Sequence, residues 1–328
     1  MLSSNVRSFT DPDSYTAAIR QGTVELTVTG RGHFAAQLVR IDLHRLWMQR
    51  LAENQPRVVH VHGAGKRAVI SFPTRLGHSL SVNGADLHLT NIIRHSEGGS
   101  YFQRSSGATD LGAMSLTVED LASVGAAIAG CDLSPPRDTL ILTPQPSAMV
   151  KLKRLHEAAG RLAETTPEMI AHPEAARGLE QALIEAMVAC LTTASAGSER
   201  SAQRRHELIM RRFRRVMEEQ PDQALYLPEI CRAIGVSDRT LRMCCQEHLG
   251  MSPKQYLLTR RMHLARRDLS RAAPDSITVT EVASHYGFWQ FGYFARAYRS
   301  LFAELPSATL KRLPGQQRDA DAVREWAV

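Results

Sequence analysis

An internal repeat near the C-terminus constrains this 328-residue chain more than any other feature. Leu227-Pro228-Glu229-Ile230 and Ile234-Gly235-Val236 are echoed 52 positions later by Val279-Thr280-Glu281-Val282 and Tyr286-Gly287-Phe288. Beyond the glycine the offset becomes 53, matching Leu241 with Phe294, Cys245 with Tyr298, Leu249 with Phe302 and Pro253 with Pro306. One extra residue therefore sits in the second turn.

Each copy has the physical parts of a helix-turn-helix. Pro228 suits an early helical position, where its missing N–H costs nothing. Ile230, Ala233 and Ile234 give that helix a buried face, and Gly235 can adopt the left-handed conformation that ends it. Ser237 is placed to cap the next helix, which buries Leu241, Cys245 and Leu249 and presents Arg239, Arg242, Met243 and Gln246. In the second copy Thr278 and Glu281 have capping-box spacing. Its first helix packs Val282, Ala283 and Tyr286 and ends at Gly287. Its second buries Phe294, Tyr298 and Phe302 and leaves Gln290, Arg296 and Arg299 outside. Pro253 to Arg271 reads as one connecting helix, about 27 Å long. Met262, Ala265 and Leu269 form its inner face, and Arg260, Arg261, Arg266 and Arg267 add charge. Such a rod can hold two recognition helices roughly one DNA turn, ~34 Å, apart.

Charge follows the repeat. Residues 204–328 hold 21 Lys/Arg against 14 Asp/Glu, so the whole net charge of +7 lies there. That asymmetry suits phosphate binding, although a solvated basic surface would look the same by charge alone.

The segment resembles the AraC/XylS family of transcription regulators. The matching residues are Gly235-Val236-Ser237, Arg239-Thr240-Leu241, Gly250, Ser252-Pro253, Tyr256, Arg261-Met262, Ala265-Arg266 and Leu269. In the second half they are Val282-Ala283, Gly287-Phe288, Tyr293-Phe294, Arg296, Tyr298 and Pro306-Ser307. The resemblance implies a seven-helix module with two recognition helices in the major groove. DNA contacts would then come from Ser237, Asp238, Arg239, Thr240, Arg242, Met243 and Gln246 in the first half. In the second they would come from Trp289, Gln290, Phe291, Gly292, Arg296 and Arg299, with Arg260, Arg261 and Arg267 on the backbone. Met243 stands where the family commonly has an arginine, Cys245 replaces a core phenylalanine, and Ala303-Glu304-Leu305 replaces a glycine-containing turn. The implied partners are double-stranded DNA, RNA polymerase, a small-molecule effector and a second copy of the chain.

Upstream, residues 20–120 read as mainly β. Val24-Glu25-Leu26-Thr27-Val28, Val58–His62, Ala68–Phe72 and Leu80–Val82 alternate apolar and polar residues, and Asn83-Gly84 is a hairpin signal. Residues 35–52 fit strand or helix, with strand favoured. Helical spacing starts near Ser147 and continues through Leu179, Leu183, Met187 and Leu191, with Pro167 and Pro173 separating two helices. These either cap the β domain or pair with a second copy. The expected fold class is α+β, a cupin-like or β-roll domain over residues 1–192 followed by an all-α domain over 205–313. A small-polar linker at 193–204 and a tail at 314–328 complete the chain.

Enzyme chemistry finds little support. His60 and His62 face the same way on one strand, as two metal ligands would, but no acidic residue follows until Asp86. With His88 they are candidates for a ligand pocket, and His88 or His95 for a late metal partner. No Gly-rich phosphate loop, nucleophile elbow or paired-carboxylate motif is present. Neither metal nor cofactor is therefore expected, and the alternatives are a cupin-like metalloenzyme fused to a DNA-binding module or a ligand-independent regulator. The five cysteines have no zinc or redox spacing and read as free thiols. No apolar run is long enough to span a bilayer, and Met1 to Tyr15 lacks signal-peptide character, so a cytoplasmic location without membrane partners is expected.

Overall fold

The computed structural model describes residues 2–20, 22–63, 65–196, 201–220, 222–273 and 276–312. The N-terminal elements are β1 (Ser3–Phe9), α1 (Pro12–Ala18), β2 (Gly22–Val28), β3 (Ala36–Asp42), β4 (Trp47–Glu53), β5 (Arg57–Gly63), β6 (Arg67–Leu76), β7 (Leu80–Val82), β8 (Ala85–Asp86), β9 (Ile92–Arg94), β10 (Ser100–Ser105) and β11 (Thr109–Thr117). They continue with α2 (Val118–Ala129), β12 (Leu140–Thr143), α3 (Pro146–Thr165), α4 (Pro167–Ala171), α5 (Pro173–Thr192) and β13 (Ser195–Ala196). The C-terminal part is helical: α6 (Ser201–Glu219), α7 (Leu227–Ile234), α8 (Asp238–Leu249), α9 (Pro253–Arg271), α10 (Val279–His285), α11 (Phe291–Phe302) and α12 (Pro306–Leu310). The fold is α+β.

Alternation along the strands builds two antiparallel sheets. The larger has the order β1-β3-β4-β11-β6-β9-β12-β13 and the smaller β2-β5-β10-β7-β8. Leu38, Ile93 and Leu111 of the larger meet Leu26, Val59, Val61 and Val82 of the smaller in a shared core. Odd and even residues of a strand face opposite ways, so the other face of the larger sheet is also apolar. There Val39, Ile41, Met48, Ile70 and Phe72 pack against Leu121, Leu152, Leu183, Ile184 and Met187 of α2, α3 and α5. The helical seam read from sequence is thus occupied by the chain's own sheet.

Residues 35–52 form two strands, β3 and β4. Buried Glu180 of α5 holds their turn by accepting the N–H groups of Arg45 at 2.6 Å and Leu46 at 2.9 Å. The Asn83-Gly84 hairpin forms between β7 and β8 with φ of 49° and 81°. Pro167 and Pro173 each open a new helix, so the region holds three helices rather than two. Within the stretch read as a linker, Ser195 and Ala196 pair with Thr143 and Leu142 and α6 begins at Ser201. The tail at 314–328 lies outside the described residues.

Candidate nucleic-acid interface

Both helix-turn-helix units form from the residues that the repeat singled out. Gly235 ends α7 at φ 71°, and Ser237 caps α8 by accepting the Thr240 N–H at 3.2 Å. Thr278 and Glu281 make both bonds of a capping box at the start of α10, and Gly287 turns the chain at φ 72°. Ile230, Ile234, Leu241, Cys245 and Leu249 are buried in the first unit. Val282, Ala283, Tyr286, Phe294 and Tyr298 are buried in the second, with Phe302 packed against them. Ala233 is exposed, contrary to its expected place on the buried face, because the buried stripe of the short helix runs through Leu227, Ile230, Cys231 and Ile234 and leaves Ala233 outside it.

On α8, Ser237, Asp238, Arg239, Arg242, Met243 and Gln246 are exposed and Thr240 is half-buried. Arg242 is held along its own helix by Asp238 at 2.8 Å. Trp289, Gln290, Phe291, Gly292, Arg296 and Arg299 are also exposed, and Trp289 retains 79% of its surface. The exposed Tyr293 lies beside them in sequence on α11. Between the units, α9 spans the residues expected of it.

Three curated relatives and families locate this architecture. A family described as a helix-turn-helix domain matches residues 230–312. The probable thc operon regulatory protein of Rhodococcus erythropolis is 40% identical over 98 residues, 30% of this chain and 30% of the relative. The XylDLEGF operon transcriptional activator 3 of Pseudomonas putida is 38% identical over 103 residues, 30% of this chain and 31% of the relative. The C-terminal module is of the AraC/XylS family. The match spans less than a third of either relative. Among solved structures, the AraC-like transcriptional activator CuxR aligns at 14% identity and a TM-score of 0.42, covering 81% of this chain and 96% of its own.

The AraC/XylS module is docked on the outer face of the smaller sheet, and that docking changes the place of several basic residues. Arg260, expected on the DNA backbone, is 1% exposed and bonds Glu25 of β2 at 2.6 Å. Arg266 is buried against Asp11 at 2.8 Å, and the neighbouring His263 ring lies 2.9 Å from the Val28 carbonyl. Arg261 donates to the Tyr286 carbonyl at 3.3 Å and stacks over Tyr226 and Phe288. Arg267 is paired with Asp222. The neighbouring domain thus covers Arg260 and Arg266, whereas Arg261 and Arg267 are engaged within the module itself.

Phe102 of β10, Phe213 of α6 and Tyr256 of α9 form an aromatic cluster across the boundary. Buried Arg214 reaches Glu207 at 2.5 Å and Asn83 at 3.1 Å. Sequence reading missed this interface, although Ile209, Met210, Phe213 and Met217 recur at helical spacing and all are buried.

His60, His62 and His88, expected at a ligand pocket, are not among the walls of a cavity between the two sheets. His60 and His62 point outward from β5 and approach the same Glu218 oxygen at 3.2 and 3.4 Å. Their shared face was legible; what covers it was not. Hydrogen bonding from His60, and then from Ser100, lowers the Glu218 carboxyl to about 2 despite partial burial. His88 is exposed on a turn, where its N–H donates to Asn91 at 2.7 Å. His95 bonds Ser71 at 2.7 Å, and burial lowers it to about 3. That cavity of the N-terminal domain has a volume of about 40 Å³, with Tyr15, Glu53, Arg57, Val61 and Gln103 among its walls.

Proposed function

We infer that the chain is a sequence-specific DNA-binding regulator of transcription, acting as an activator, whose α8 and α11 read successive major grooves. The observation that carries this is the pair of exposed second helices joined by α9. Docking leaves Arg239, Met243 and Gln246 of α8 and Arg296 and Arg299 of α11 exposed. Arginine pairs with guanine and glutamine with adenine edges, while an aromatic such as Phe291 suits a thymine methyl. The Pseudomonas relative's name supports the activator reading.

The N-terminal domain is a small-molecule sensor on this reading. In its support, the strands of the smaller sheet have two occupied faces. Val24 and Leu26 of β2, Val59 and Val61 of β5, and Tyr101 and Gln103 of β10 face the cavity. Their neighbours Glu25, Val58, His60 and Phe102 meet the AraC/XylS module. A ligand that shifts the strands on one face therefore changes what the other face holds, and binding on the two sides is reciprocally linked. A second copy of the chain and RNA polymerase are the remaining proposed partners.

Selection of bound sites from random DNA, followed by gel-shift titration of the winning site, tests the reading. A conserved motif in two blocks about one helical turn apart supports it. Retention of DNA without any enriched motif overturns it.

A further inference from the structure

The cavity between the sheets holds a polar network whose donors and acceptors do not balance. Arg57 is 1% exposed and Glu53 4%. The Tyr15 hydroxyl donates to Glu53 Oε1 at 2.9 Å, and Arg57 Nε donates to Glu53 Oε2. Arg57 Nη2 donates to Gln103 Oε1 at 2.8 Å. Both carboxylate oxygens and the amide oxygen are therefore engaged. Arg57 Nη1, by contrast, is buried without a hydrogen-bond partner. A buried guanidinium nitrogen left unmatched is costly, and the residue lines the cavity.

Three features set what could sit there. The open group is a donor, Arg57 Nη1, so the complement is an acceptor oxygen. Glu53 already neutralises Arg57, so a bound carboxylate would leave one uncompensated negative charge in a dry interior. Leu26, Leu51, Val59 and Val61 supply apolar wall, and a volume of about 40 Å³ is small. At roughly 10–15 Å³ per water it holds about three waters before any side chain moves.

We propose that this cavity is the effector site, and that it takes a compact, uncharged, mainly apolar molecule through one carbonyl-type oxygen hydrogen-bonded to Arg57 Nη1. The inference rests on the sensor reading above and names its site and ligand class.

Cyclopentanone and cyclopentanecarboxylate are suitable probes, because they share a ring and differ in charge. Binding to the full chain is measured by saturation-transfer NMR. Cyclopentanone is expected to bind at least ten-fold more tightly than the carboxylate. Arg57→Gln removes the unmatched donor but disturbs a buried ion pair, so Ala113→Leu serves as the second variant. It fills the cavity wall without touching the network, and it is expected to weaken cyclopentanone at least ten-fold with an unchanged circular dichroism spectrum. No saturable binding of cyclopentanone, tighter binding of the carboxylate, or undiminished binding to Ala113→Leu would each overturn the proposal. Water alone in the cavity would give the first of these results. A thermal-shift screen of mixed metabolites on the same samples separates the two levels: a hit retained by Ala113→Leu leaves a sensor with another site, whereas no hit at all removes the sensor reading too.

Discussion

Arg260 and Glu25, 235 residues apart, form a 2.6 Å ion pair that fastens the connecting helix of the DNA-binding module to the outer face of a β-sheet. The guanidinium is almost completely buried and Glu25 is partly open to solvent. Removing the carboxylate leaves a cation in a dry site. Glu25→Ala is expected to destabilise the chain by about 1–3 kcal/mol, measured by urea unfolding. If the pair is what holds the domains, the loss also appears as faster amide exchange in α9.

Met243 and Arg296 occupy equivalent places in the two units, and both are exposed. Arg296→Ala is expected to cost about 1–3 kcal/mol at one base pair and to relax specificity there. Met243→Arg should add a phosphate- or base-directed charge and steepen the salt dependence of binding by about one unit. Gel-shift titrations across salt concentrations check both. Unchanged affinity and footprint for Arg296→Ala would remove it from the interface.

Ala303 ends α11 with φ 58°, a left-handed conformation that costs a residue with a Cβ about 1 kcal/mol. Ala303→Gly relieves that strain but gives the unfolded chain more freedom. The net expected gain is up to about 1 kcal/mol, read as a higher urea midpoint. A lower midpoint would show that the turn is not strained.

His156 lies fully buried in α3, 3.1 Å from the Gln49 carbonyl. Burial, helped by the neighbouring Arg50 charge, holds its pKa near about 3 against an ordinary 6.5. Between those values the unfolded chain takes up a proton that the folded chain refuses. Stability is therefore present in full above pH 6.5 and falls as pH drops toward 3. From pH 7 to 5 this one group accounts for roughly 2 kcal/mol. His156→Gln should shrink the stability difference between those two pH values by about that much. An unaltered difference would mean that other groups, His95 and His248 among them, set the acid response.

The parts legible in sequence were those fixed by local rules. Ser237, Gly235, Thr278 and Glu281 act through bonds to their own neighbours, and strand alternation assigns faces to Val24, Val59 and Val61. The parts that were not legible depend on distant chain. Arg260 is indistinguishable from Arg267 along one helix, yet Arg260 is buried against Glu25 of another domain. His60 and His62 were correctly placed on one side of a strand, but periodicity does not say which side holds a cavity and which holds a helix. The cavity network shows the same limit, since Tyr15, Glu53 and Gln103 come together around Arg57 only when the two sheets close.

Two recognition helices reading adjacent grooves can be tested most directly by methylation-interference footprinting on the selected site. Two patches of major-groove interference about one turn, ~34 Å, apart on one face of the duplex are expected, with Arg296→Ala erasing part of one patch and Arg239→Ala part of the other. A single patch, or two that both survive Arg296→Ala and Arg239→Ala, would contradict the two-groove reading.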